Sequence, residues 1–132
     1  MPGYSVRKLD EVQNVFEGHY PGEMRFFTAD VEAEQVAFTY RRMPQHTGGK
    51  GSYGHRHFTQ EELYYVISGR LEFKLGDDVL ELGPGSLVRV APETVRSVWN
   101  DRPEDAELLI VSTRLADPSA NDTEQIPDFW PE

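Results

Sequence analysis

The 132-residue sequence contains no cysteine. Disulfides and thiolate metal ligands are therefore excluded, and the redox compartment is left undecided. Long apolar runs are also missing. Nothing approaches the roughly 20 apolar residues of a membrane span, and the first 30 residues hold no apolar stretch of signal-peptide length. The default expectation is a cytoplasmic protein with no membrane partner. Positive charge is scarce: 13 Lys and Arg against 23 Asp and Glu give a net charge of −10 and a pI near 4.8. Only Arg41 and Arg42 are adjacent, and no basic stripe is visible. Such a chain repels a polyanion, so nucleic acid is excluded as an expected partner. Histidine is rarer still, with four residues (19, 46, 55 and 57), all in the first half.

Aromatics make up 11% and charged residues 27% of the chain. This is the composition of a folded domain, and the length suits a single one over 1–132 with one core. Short alternating runs recur at intervals of 8 to 12 residues: 24–29, 35–43, then ELYYVI, RLEFKL, VLEL, SLVRVA, TVRSVWN and AELLIVST. Between them stand turn signals such as Gly69, Gly76–Asp77–Asp78 and Gly83–Pro84–Gly85. No helical period of useful length occurs, and residues 44–51 read as loop. The pattern predicts an all-β sandwich or barrel, with a core over about 24–113. Residues 114–132 form a polar tail whose apolar end, Ile126 to Trp130, is expected to pack on the barrel or on a partner subunit.

The chemistry concentrates in residues 49–69, GKGSYGHRHFTQEELYYVISG. In an extended strand, residues i and i+2 share a face, so His55 and His57 project together and Arg56 points away. Beyond the corner at 59–61, Glu62, Tyr64 and Val66 share a face in turn. Two imidazoles and a carboxylate are the donor set of a Zn, Mn, Fe or Ni site. Gly49, Gly51 and Gly54 also spell G-x-G-x-x-G. That fingerprint requires a strand before it and a helix after it, whereas a β-leaning run follows, so a flexible entry loop is the expectation.

The stretch resembles the first motif of the cupin superfamily, G-x5-H-x-H-x3,4-E-x6-G, at Gly49, His55, His57, Glu62 and Gly69. The resemblance covers about residues 36–113. It implies a jelly-roll antiparallel barrel (a double-stranded β-helix) of six to ten strands, and a homodimer. The family's second motif, G-x5-P-x-G-x2-H-x3-N, is matched only at its ends, Gly85 and Asn100. Ala91, Glu93 and Arg96 take the proline, glycine and histidine positions. The histidine is normally the fourth metal ligand, and no later histidine can replace it; His46, in a loop nine residues before His55, is the one substitute in range.

Guanidinium stays charged and cannot ligate a metal. About 5 Å from a divalent ion, at an effective dielectric of ~20, it would oppose binding by roughly 6–7 kcal/mol. In one reading Arg96 pairs with Glu62 in place of a metal, lowering the Glu62 pKa. The pocket of Arg96, Tyr64, His55 and His57 then binds a small organic anion. In the other, Arg96 points away, and His55, His57 and Glu62 hold one divalent metal in a dioxygenase- or isomerase-type enzyme. A surface arginine on an edge strand is the plain alternative for Arg96. Tyr64 and Phe73 are expected as pocket wall or core. Neither catalysis nor catalytic residues follow from the sequence.

Overall fold

The computed structural model describes residues 3–115, 117 and 120–132. Apart from a 3₁₀ turn at Leu9–Glu11, its regular elements are strands. In chain order these are β1 (Glu23–Phe26), β2 (Val36–Met43), β3 (Thr47–Gly48), β4 (Ser52–His57), β5 (Glu62–Ser68) and β6 (Leu71–Leu75). There follow β7 (Asp78–Leu82), β8 (Leu87–Val90), β9 (Arg96–Asn100), β10 (Ala106–Thr113) and β11 (Thr123–Trp130). Eleven strands exceed the six to ten expected. The excess comes from β3, inside the segment read as loop, and from β11, inside the tail. Of that tail, residues 116, 118 and 119 lie outside the described set.

The strands form two antiparallel sheets, ordered β1-β2-β10-β5-β8 and β11-β4-β9-β6-β7, with β3 paired to β9. Alternation of side chains decides what faces inward. On β5, Glu62, Tyr64 and Val66 are buried while Tyr65 and Ile67 are exposed. The register sets Tyr64 opposite Ile110 and Val66 opposite Leu108 on β10. Phe73, Leu71 and Val98 meet them from the second sheet, in a core that includes Met43 and Leu108. Fully burying one such side chain contributes about 1.5–3 kcal/mol, so the inward rows hold the two sheets together.

Two glycines have identifiable work. Gly76 takes φ 59° between Leu75 and Asp78, the first central residue of a two-residue hairpin turn. Gly49 passes so close to β9 that a Cβ there would fall 1.9 Å from Ser97 Oγ. The G-x-G-x-x-G run leads into β4 rather than a helix, so it lacks the helix N-terminus that would cradle a phosphate.

Candidate metal centre and its cavity

β4 and β5 bring the predicted residues together. His55 and His57 lie on one face of β4, while Arg56 on the other face pairs with Glu124 of β11, Nε to Oε1 2.7 Å. Glu62 opens β5, with its Oε1 3.2 Å from His57 Nε2 and 3.7 Å from His55 Nε2. One donor atom from each of the three residues can be chosen so that all lie within 4.8 Å of one another. Donors sharing one ion through bonds of about 2.1 Å stand about 3–3.5 Å apart; the His57–Glu62 pair is already at that spacing, and His55 would have to draw in by a few tenths of an ångström or more.

The chemistry of the donors fits as well. His57 Nε2 is buried without a hydrogen-bond partner, because its 3.2 Å approach to Glu62 is close but misaligned. A buried imidazole nitrogen left without a partner is costly, and a metal ion would satisfy it. The opposite nitrogen, Nδ1, faces Asp122 Oδ2 at 3.5 Å and Thr123 Oγ1 at 3.5 Å. With a metal ion on Nε2 the imidazole proton would sit on Nδ1, facing Asp122, the usual arrangement behind a metal-ligating histidine. His55, His57 and Glu62 could therefore hold a metal ion.

Glu62 is held ionised. Burial pushes its pKa up, but the His55 and His57 imidazoles and the Tyr64 hydroxyl outweigh that and hold it well below the usual carboxylate range. Tyr64 donates to Glu62 Oε1 at 2.6 Å. Burial, and then the Glu62 charge, push the Tyr64 phenol well up, so it stays a donor. The downward direction expected for Glu62 holds, but its cause is the imidazoles and the phenol and not a pairing with Arg96.

Arg96 follows neither simple expectation. It sits opposite His55 in the β4–β9 register and is fully buried, so it is no surface arginine. Its Nη2 and Nη1 donate to the carbonyls of Ala91 and Pro92 at 2.9 and 3.3 Å. Only Nε approaches Glu62, 3.8 Å from Oε1 and outside hydrogen-bonding geometry. The fork that would grip a carboxylate is thus occupied by backbone. His46 is exposed, with its ring centroid 6.0 Å from that of Trp99, and does not join the cluster.

The site opens into a cavity of about 760 Å³ between the sheets, lined in part by His55, Glu62, Tyr64 and Arg96. Phe73 lies behind Tyr64, ring centroids 5.8 Å apart, as core and not wall. Two residues with a role here were not singled out in the sequence: Asp122, behind His57, and Arg41, in the cavity wall. Asp122 left no local signal, since its contacts span more than sixty residues. Arg41 did leave one, because it alternates with Met43 on an apolar strand.

A two-sheet antiparallel barrel with a His-His-Glu cluster beside an internal cavity is the architecture of the cupins. The chain belongs to that family: the model of the cupin domain matches residues 42–112, more than half of the sequence. Among curated proteins it is 33% identical over 46 residues to an uncharacterized protein of Methanocaldococcus jannaschii. That match spans 35% of this chain and 37% of the relative. Among solved structures, a cupin protein of Bacteroides fragilis superposes with a TM-score of 0.70 at 16% identity, covering 92% of each chain. A sugar phosphate isomerase of Silicibacter pomeroyi superposes with a TM-score of 0.70 at 20% identity, covering 84% of this chain and 76% of that one. At these identities the superpositions speak for the fold alone.

Proposed function

We propose that the protein is a metal-dependent cupin enzyme of isomerase or dioxygenase type, acting on a small organic anion held in the barrel cavity. One divalent Zn, Mn, Fe or Ni ion is bound by His55 Nε2, His57 Nε2 and a Glu62 carboxylate oxygen. The observation that carries the reading is the buried, unpartnered Nε2 of His57, with Asp122 behind Nδ1. Arg96 keeps its charge 3.8 Å from Glu62 and so weakens metal binding, while the backbone carbonyls of residues 91 and 92 that accept from its Nη2 and Nη1 offset part of that cost. When bound, the ion supplies Lewis acidity toward an oxygen of the substrate.

The chain's own residues do the rest. Tyr64 holds Glu62 Oε1 in place through its hydroxyl hydrogen. With the ion on Nε2, Asp122 would hold the His57 proton on Nδ1. Arg96 offsets the Glu62 charge in the buried wall. The apolar side chains Val98, Leu108 and Ile110 limit the water around a bound substrate. A homodimer, as in cupins of this size, belongs to the same proposal.

Elemental analysis by plasma mass spectrometry of untagged protein tests it. Wild type should carry near-stoichiometric metal, and His57→Ala should lose it. The 3.8 Å approach of Arg96 Nε to Glu62 favours a second reading, a metal-free anion-binding pocket in which the arginine replaces the ion. Wild type empty but Arg96→His loaded would establish that reading and overturn the first.

A further inference from the structure

We propose that Arg41 is the anion anchor of the cavity, gripping a terminal carboxylate or phosphate of the substrate at a point separate from the metal centre. The inference rests on the reading of the cavity as a substrate site and assigns a residue and a ligand class to it. Arg41 and Arg42 are neighbours with opposite fates. Arg42, on the outer face of β2, is paired twice, Nε to Glu23 Oε2 at 2.7 Å and Nη1 to Asp105 Oδ2 at 2.6 Å. Arg41 faces inward with Met43, opposite Leu108 in the β2–β10 register, where the neighbouring positions are apolar core. Among the described residues no carboxylate or carbonyl engages its guanidinium, and its buried Nε has no hydrogen-bond partner. Its Cζ stands 5.8 Å from the centroid of the Phe16 ring.

A guanidinium cannot shed its proton to escape such a place. Arg41 is part-buried in the cavity wall with its Nε enclosed and no anionic partner among the described residues, which is unfavourable by itself, so the position makes sense when an anion completes it. Arginine's planar donor fork fits the paired oxygens of a carboxylate or phosphate. Arg96 does not duplicate the role, since its fork is occupied by carbonyls. Arg41, His55 and Glu62 line one cavity of about 760 Å³, within the size range of small-molecule sites. A small bifunctional molecule can therefore be held at both ends, its anionic end on Arg41 and its reacting oxygens at the His55–His57–Glu62 centre.

The test is titration calorimetry of metal-loaded protein with inorganic phosphate and, separately, with succinate. Wild type is compared with Arg41→Met, Arg41→Gln and Arg41→Lys, with melting temperature and metal content read in parallel. Wild type should bind at least one probe, and the responding probe identifies phosphate or carboxylate as the preferred group. Arg41→Met should bind about tenfold more weakly or worse, and Arg41→Lys should fall between. Metal content should be unchanged in all three variants, and ligand-free Arg41→Met should melt higher than wild type. Equal affinity in Arg41→Met, or no binding of either probe by wild type, would overturn the proposal. So would a lower melting temperature or failure to fold of both Arg41→Met and Arg41→Gln, which would make the guanidinium a packing element. Arg41-dependent binding by a wild type that takes up no metal would sink the metal centre while leaving the anchor in place.

Discussion

Tyr64 donates its hydroxyl to Glu62 Oε1 at 2.6 Å inside a buried site, so its polar tip is structural before it is anything else. Tyr64→Phe leaves the ring packed on Phe73 and removes only the donor. It should destabilise the metal-free protein by about 1.5–3 kcal/mol, as expected for a lost hydrogen bond to a charged acceptor. Urea denaturation with an unchanged slope would check this. A variant as stable as wild type would mean that the imidazoles alone hold Glu62. The two arginines of the wall differ in their partners. Arg96 is anchored by two carbonyls, whereas Arg41 has none among the described residues.

Among the elements, β11 matters most to the site, although its residues include none of the three proposed ligands. Just before it, Asp122 accepts from the backbone N–H groups of Thr59 and Gln60, each at 2.9 Å, and from Thr59 Oγ1 at 2.6 Å. These bonds pin the corner between β4 and β5 and so set the distance between the histidines and Glu62. Burial raises the Asp122 pKa, but the Thr59 and Gln60 donors outweigh it and leave the net shift downward. Asp122→Ala leaves two backbone donors without partners. It should destabilise the fold by about 2–4 kcal/mol and weaken metal binding by about 10- to 100-fold. Denaturation and competition with a chromophoric chelator would read the two effects separately.

For the whole molecule, the acid limb of stability should be governed in part by the sheet edge. Glu23 on β1 binds Arg25 Nη2 at 2.5 Å and Arg42 Nε at 2.7 Å, and Arg42 continues to Asp105 before β10. The Arg42 hydrogen bond is the largest influence on Glu23. With Arg25 it outweighs partial burial and lowers the pKa from its ordinary 4.5. A carboxylate whose pKa is lower folded than unfolded stabilises the fold fully above the unfolded value. That contribution is lost as pH falls through the folded one. Global stability should therefore decline below about pH 4.5, and Glu23→Gln should flatten the decline in melts taken across pH. An unchanged profile would place the acid sensitivity elsewhere. Among the described residues no helix is long and apolar enough to cross a membrane.

Much of the fold was legible in the sequence because period-two alternation and glycine turns are local properties. The runs from ELYYVI to AELLIVST became β5 to β10 with boundaries shifted by one or two residues. The His55–His57–Glu62 cluster was legible for the same reason: residues two apart on a strand share a face, and a short corner returns the chain to them. Long-range pairing was not. Whether the tail folds back as β11, which way Arg96 turns and which of Arg41 and Arg42 enters the cavity all depend on cross-strand register. A shift of one residue would exchange the faces. The carbonyls that accept from Arg96 are local, four and five residues upstream, but its burial, and the absence of any described partner for Arg41, exist only once the two sheets have closed. The sequence by itself determined the barrel and its three candidate ligands; tertiary structure decided where the buried charges point, because that depends on strands far apart in the chain.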